Sequence, residues 1–201
     1  MTSRIAGAVA VAAIATCVSS STAAVVTITN QTLWTAFANA NGAGVVTETF
    51  SGVADGFYAG SVSSAVGGIA WTAAAPGGLY VDQGLFSTNY PEPLTFTFAP
   101  GVQGVAGNIF GTDINFSIVP SIVQVTLNDG SSFIGYATAA SDFIGFYSTD
   151  AAISSLTITK LGNTPGGIFP TVDNLYFAVV PAPGALALLG VAGIVGRRSR
   201  R

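Results

Sequence analysis

The chain has 201 residues, six basic and nine acidic, with no His and a single Cys. Five of the six basic residues lie at the two ends, so the body from Val25 to Val180 sets Lys160 alone against nine acids, a formal charge of −8. Such a surface argues against nucleic acid as a partner and favours cations or neutral polymers such as polysaccharides, on a body the size of one domain.

Met1 to Arg4 is a short positive stretch, and Ile5 to Val18 is an apolar run of small residues. Ser19 to Ala24 then places small residues at the −3 and −1 positions of a cleavage site. Residues 1–24 therefore read as a signal peptide cut after Ala24 or Ala23, since the run is too short to cross a bilayer. The alternative is a lipoprotein box at Ile14-Ala15-Thr16-Cys17, where Thr is a poor match before the Cys. Cys17 lies in this leader, so the body has neither thiol nor imidazole.

Residues 25–179 read as one all-β domain, a jelly-roll-type β-sandwich with one short N-terminal helix. Val25 to Thr29 opens it as a strand. Asn30 to Ala40 is the helix, with Leu33 and Phe37 on one face and Asn30 or Thr32 as its cap. Val45 to Phe50 is extended again, and Thr95 to Phe98 alternates cleanly. Ile122 to Leu127 and Ser132 to Tyr136 flank Asn128-Asp129-Gly130, a strong hairpin signal. Phe143 to Tyr147, Leu156 to Thr159 and Val172 to Val179 complete the strands. The expected core is Phe96, Phe98, Val123, Val125, Leu127, Phe146, Leu156 and Ile158. No internal repeat points to a propeller or solenoid. The threonine pairs Thr27/Thr29, Thr95/Thr97 and Thr157/Thr159 lack the fixed spacing of an ice-binding array and read as solvent-facing strand sides.

Residues 180–201 form a tail of three parts: Pro181-Ala182-Pro183, an apolar segment from Ala185 to Gly196, and the cluster Arg197, Arg198, Arg200 and Arg201. Apolar residues followed by arginines make a stop signal with the arginines held cytoplasmic. The alternative is a permanent anchor, for which the apolar segment after Pro183 is short. The layout resembles the PEP-CTERM sorting segment of Gram-negative bacteria, with Ala182 where the name-giving motif has Glu. The resemblance implies recognition by an exosortase-type membrane protease, transient inner-membrane contact through the C-terminal helix, and display or release alongside extracellular polysaccharide. In the body, Thr47 to Gly52, Phe143 to Phe146 and Val172 to Leu175 are similar to segments of PEP-CTERM surface proteins with jelly-roll bodies. The literal Pro91-Glu92-Pro93 precedes a strand and reads as a turn.

Without His or Cys, the body lacks the residues of a Ser-His-Asp triad, a Cys-His pair or a usual zinc site. No glycine-rich phosphate loop ends in Lys. A carboxylate pair of the glycosidase or lyase kind remains, but Glu48 and Glu92 lie in unrelated contexts. By period two, Glu48 shares a strand face with Val46 and Phe50, and Asp173 shares one with Leu175 and Phe177. A buried carboxylate needs a partner, and one Lys cannot serve nine acids. Jelly-roll carbohydrate-binding domains resemble this pattern, and the resemblance implies a structural calcium held by Glu48 and Asp173, completed by backbone carbonyls and Asn174. The alternative is that both acids sit at strand ends and reach water or cap a turn. Tyr58, Trp71, Tyr80, Phe86 and Tyr90 either fill the core or stack on sugars. The sequence thus points to a non-enzymatic exported surface or matrix protein, with a carbohydrate-binding module as the alternative reading.

Overall fold

The computed structural model describes residues 24–162 and 167–181. The signal peptide expected over residues 1–24 (save Ala24) and the sorting tail from 182 onward lie outside the described residues. The elements run β1 (Val25–Ile28), α1 (Gln31–Ala40), β2 (Gly44–Glu48), β3 (Gly56–Tyr58), β4 (Ser61–Val66), β5 (Ile69–Ala74), β6 (Leu79–Asp82) and β7 (Leu85–Thr88). They continue with β8 (Leu94–Phe98), β9 (Val102–Thr112), β10 (Ile118–Val119), β11 (Ser121–Leu127), β12 (Ser132–Ala137), β13 (Phe143–Ser148), β14 (Ser155–Leu161) and β15 (Phe169–Val179).

These strands form two antiparallel sheets. The larger has nine strands in the order β1-β13-β9-β15-β7-β6-β3, with β10 added to β9 and β2 to β15. The smaller has six, in the order β12-β11-β14-β8-β5-β4. The turn after β11 is the one read from Asn128-Asp129-Gly130, with Gly130 at φ +86° and the Leu127 N–H donating to the Ser131 carbonyl. Alternate residues of both sheets meet in one core, which holds all eight residues expected there together with Phe50, Trp71 and Phe86. Burying alternate faces of two sheets against each other removes their apolar side chains from water and so stabilises the sandwich. On the opposite side of the smaller sheet, Thr95 and Thr157 pair across strands through their hydroxyls at 3.1 Å.

The longest strands, β9 and β15, pair along their whole lengths at the centre of the larger sheet. The other edge of β15 is shared end to end by β7, at Thr171 and Val172, and β2, from Leu175 to Val179. A register shift between Val172 and Leu175 marks the junction, so Asp173 and Asn174 form a β-bulge where one partner strand ends and the next begins.

The helix covers the face of the larger sheet that points away from the core. Asn30 caps it, its side chain accepting from the Leu33 N–H at 3.0 Å. Its buried residues are Trp34 and Ala38, with Phe37 half-buried beside them. Leu33, expected to share a face with Phe37, is 64 % exposed. Trp34 is buried instead, with its indole against sheet positions that carry no side chain. A Cβ on Gly145 would fall 2.5 Å from the Trp34 ring, and one on Gly104 would fall 3.0 Å from it. The Trp34 Nε1–H donates to the Phe146 carbonyl at 3.0 Å.

Candidate functional site

Glu48 ends β2 opposite Leu175 and points into the core between the sheets, 8 % exposed. Its Oε1 accepts the Phe50 N–H at 2.8 Å and its Oε2 accepts the Trp71 indole N–H at 2.7 Å. Phe50 is held at φ +57°, a conformation that costs energy for a bulky residue. The carboxylate repays that cost by satisfying the turn's N–H, while the Phe50 ring packs on Trp71, Phe86 and Phe96 at centroid distances of 5.3, 4.5 and 6.0 Å. Glu48 thus fastens the larger sheet to Trp71 in the smaller one.

Asp173 and Asn174 stand on the other side of the sheet. The bulge inserts one residue into the alternation, so Val172 and Leu175 both face the core, and Asp173 no longer shares a face with Leu175 and Phe177. Asn174 donates to Asn108 Oδ1 at 3.4 Å, and the Tyr176 hydroxyl donates to the same oxygen at 3.0 Å. Burial raises the Asp173 pKa above its ordinary value, and a hydrogen bond with Asn174 partly offsets this. The Tyr176 phenol is raised by burial and then by the Asp173 charge, against a lowering contact from Gln31 of the helix. Asp173, Asn174, Asn108 and Tyr176 therefore form one polar cluster beneath α1.

The structure does not bring the expected calcium ligands together. Glu48 is directed into the core with both oxygens taken by N–H donors, whereas Asp173 and Asn174 belong to the helix side. Among the described residues no group of three or more acids lies close enough to hold a metal ion. A single ion bridging Glu48 and Asp173 does not fit this geometry. Period-two counting missed the separation because a bulge leaves no signal in the alternation of types.

The remaining acids are used mostly on loops. Asp55 accepts from the Gln83 N–H, Glu92 from Gly77, Asp129 from Ser131, and Asp142 from Thr138 and Ala139. Asp113 Oδ1 accepts from the Asn115 and Ser117 N–H groups at 2.8 and 2.9 Å. With Glu48, six of the nine acids satisfy main-chain donors. Lys160, the one basic residue of the body, donates to the Gly162 carbonyl.

A cleft of about 280 Å³ opens on the larger sheet, lined among others by Tyr80, Ser87, Asn89, Asp113, Phe116 and Phe169. Behind its Ser87 lies a buried hydroxyl relay. Thr112 and Thr171 share a hydrogen bond at 2.7 Å, and Thr171 donates to Ser87 at 2.9 Å. Beside it Tyr80 and Phe57 are 39 % and 49 % exposed, with ring centroids 5.0 Å apart. Gly78 makes room for this pair, at φ +96° with a Cβ position 2.7 Å from the Phe57 ring. Of the aromatics flagged in sequence, Trp71 and Phe86 are buried, Tyr58 is half-buried, and Tyr80 and Tyr90 are exposed. Asn89, Asp113 and Phe116 carried no sequence signal beyond their place in turns.

No protein-family model matches this sequence, and no curated protein or solved structure matches it at a significant level. No described helix is long and apolar enough to cross a membrane.

Proposed function

We propose that this chain is a non-enzymatic exported protein of the cell surface or extracellular matrix, a jelly-roll-type sandwich carried between a signal peptide and a PEP-CTERM-like sorting tail. The use of the acids is the observation that supports it best. Six of the nine carboxylates hold loop N–H groups, and Glu48 ties the two sheets together. Carboxylates committed to loops serve a rigid displayed body, whereas glycoside chemistry needs two of them facing one scissile bond. In this reading an exosortase-type protease recognises the tail through Pro181 and Pro183, with Arg197, Arg198, Arg200 and Arg201 holding the chain in the inner membrane until processing. The body then associates with extracellular polysaccharide.

Fractionation of a Gram-negative host expressing the full chain tests this. The body should be recovered from the surface or medium, beginning at Ala24 or Val25. Replacing the four terminal arginines by Ser should reduce membrane retention before processing, because each guanidinium costs about 2.5 to 3.5 kcal/mol at the bilayer centre. A product starting at Met1 or at a lipidated Cys17, or an unchanged distribution in the Ser variant, would overturn it.

A further inference from the structure

Building on the reading of the chain as a non-enzymatic surface protein, we propose that the cleft between Tyr80 and Phe116 binds one neutral hexose unit, stacked on an exposed aromatic ring and held by Asn89 and Asp113. Four features of the cleft select this ligand. The first is charge. Among the described lining residues Asp113 is the one acid, and none is Lys or Arg. A lone carboxylate repels phosphates, sulfates and uronates, yet accepts strong hydrogen bonds from sugar hydroxyls.

The second is fixed acceptors. Both loop N–H groups bond Asp113 at Oδ1 and neither bonds Oδ2, and Asp113 lines the cleft. Asn89 donates its Nδ2 to the Gly77 carbonyl at 3.1 Å, which leaves Oδ1 as an acceptor. Both groups are oriented by the fold before any ligand arrives, which lowers the ordering cost of binding. Behind them Ser87 is locked by Thr171 and the Thr112 hydroxyl.

The third is apolar surface. Tyr80, Phe116 and Phe169 line the cleft and Phe57 extends the ring surface outward from Tyr80. A hexose ring has one C–H face and a rim of hydroxyls, and it matches an aromatic wall next to polar acceptors. Phe116 is held at φ +59°, and its N–H donates to the Asp113 carbonyl at 3.1 Å. The fourth is size. At about 280 Å³ the cleft falls near the lower end of ligand pockets and seats one ring, not an extended chain.

Saturation-transfer NMR on the purified full-length chain, with glucose, galactose, mannose and glucuronic acid as probes, tests the proposal. Transfer to ring C–H protons of at least one neutral hexose and none to glucuronate is expected. Tyr80→Ala and Asp113→Asn should each weaken binding at least tenfold. Tyr80→Phe should retain it, and Tyr136→Ala, on the smaller sheet, should leave it unchanged. No transfer from any of the three hexoses, equal transfer to glucuronate, or transfer insensitive to Tyr80→Ala would overturn the proposal. Retardation in a dextran-containing gel, relieved by free hexose, would assign the unit to a polymer; hexose binding without retardation would assign it to free sugar. If the chain is exported normally but binds no hexose, the cleft assignment alone fails. If it binds hexose but stays in the cytosol, the surface reading alone fails.

Discussion

Glu48 and Trp71 join the two sheets through a single hydrogen bond, 2.7 Å from the indole Nε1 to the carboxylate Oε2, inside the core. The other oxygen holds the Phe50 N–H at 2.8 Å. Glu48→Gln turns one of these acceptors into an NH₂ group facing an N–H, so one buried donor loses its partner. Leaving such a group unsatisfied costs about 1–3 kcal/mol. Urea unfolding followed by near-ultraviolet circular dichroism should show a loss of this size. Trp71→Phe removes the partner donor, and the double variant should lose less than the two single losses combined. Strict additivity would mean that the two residues do not act as a unit.

Trp34 rests on Gly145 so closely that an added methyl group has nowhere to go. A Cβ there meets the indole at 2.5 Å and the Phe143 ring at 2.9 Å. Gly145→Ala should therefore lift the helix from the sheet and destabilise the fold by about 1–3 kcal/mol, the usual cost of overpacking. Tryptophan fluorescence should shift red as Trp34 gains water, whereas Gly60→Ala, with open space around its Cβ position and no positive φ, should leave the emission unchanged. A Gly145→Ala protein with native emission and midpoint would disprove the close seat.

Much of the sandwich was legible because its signals are local. The eight expected core residues alternate along strands, the hairpin carries Asn-Asp-Gly, and the helix begins after Asn30. The central strand β9 was not legible. Gly104, Gly107 and Gly111 break its β-propensity, and each is Gly because a neighbour fills the space of a side chain: Trp34 and Tyr147, the Asn174 carbonyl, and Ser121. Those neighbours are distant in sequence, so one chain read alone gives no hint of them. The same holds for the bulge at Asp173, which exists because β15 changes partner from β7 to β2.

The separation of Glu48 from Asp173 bears directly on calcium. A shared ion would stabilise the folded state by about 2.7 kcal/mol at one hundred times its dissociation constant. With the two acids on opposite sides of the sheet, thermal melts of the full chain should superimpose with calcium and with chelator. A Tm that falls on chelation, and no longer does so in Glu48→Gln, would show that the ion binds at Glu48 despite the two N–H donors already there.

Asp173 gives the protein a pH dependence opposite in sign to that of a salt-bridged acid. Burial raises its pKa above the ordinary 3.8, more than the Asn174 hydrogen bond lowers it. The folded chain then binds this proton more tightly than the unfolded chain does, so the Asp173 contribution to stability falls as pH rises from about 3.8 through the native value. At neutral pH the cost of the half-buried charge is fully present. Solvent screening holds it below about 1 kcal/mol. Asp173→Asn keeps a polar group beside Asn174 and removes the charge. The variant should be slightly more stable than the parent at pH 7, and the advantage should vanish below pH 3.8. A second readout separates this from a packing effect. The Asp173 charge is the second cause, after burial, of the raised Tyr176 pKa. In Asp173→Asn the Tyr176 phenol should titrate at lower pH than in the parent while staying above 10.0, because burial still disfavours the phenolate. Tyr147, raised by burial alone, should titrate unchanged. A Tyr176 titration indifferent to the substitution would place Asp173 outside the polar cluster under the helix.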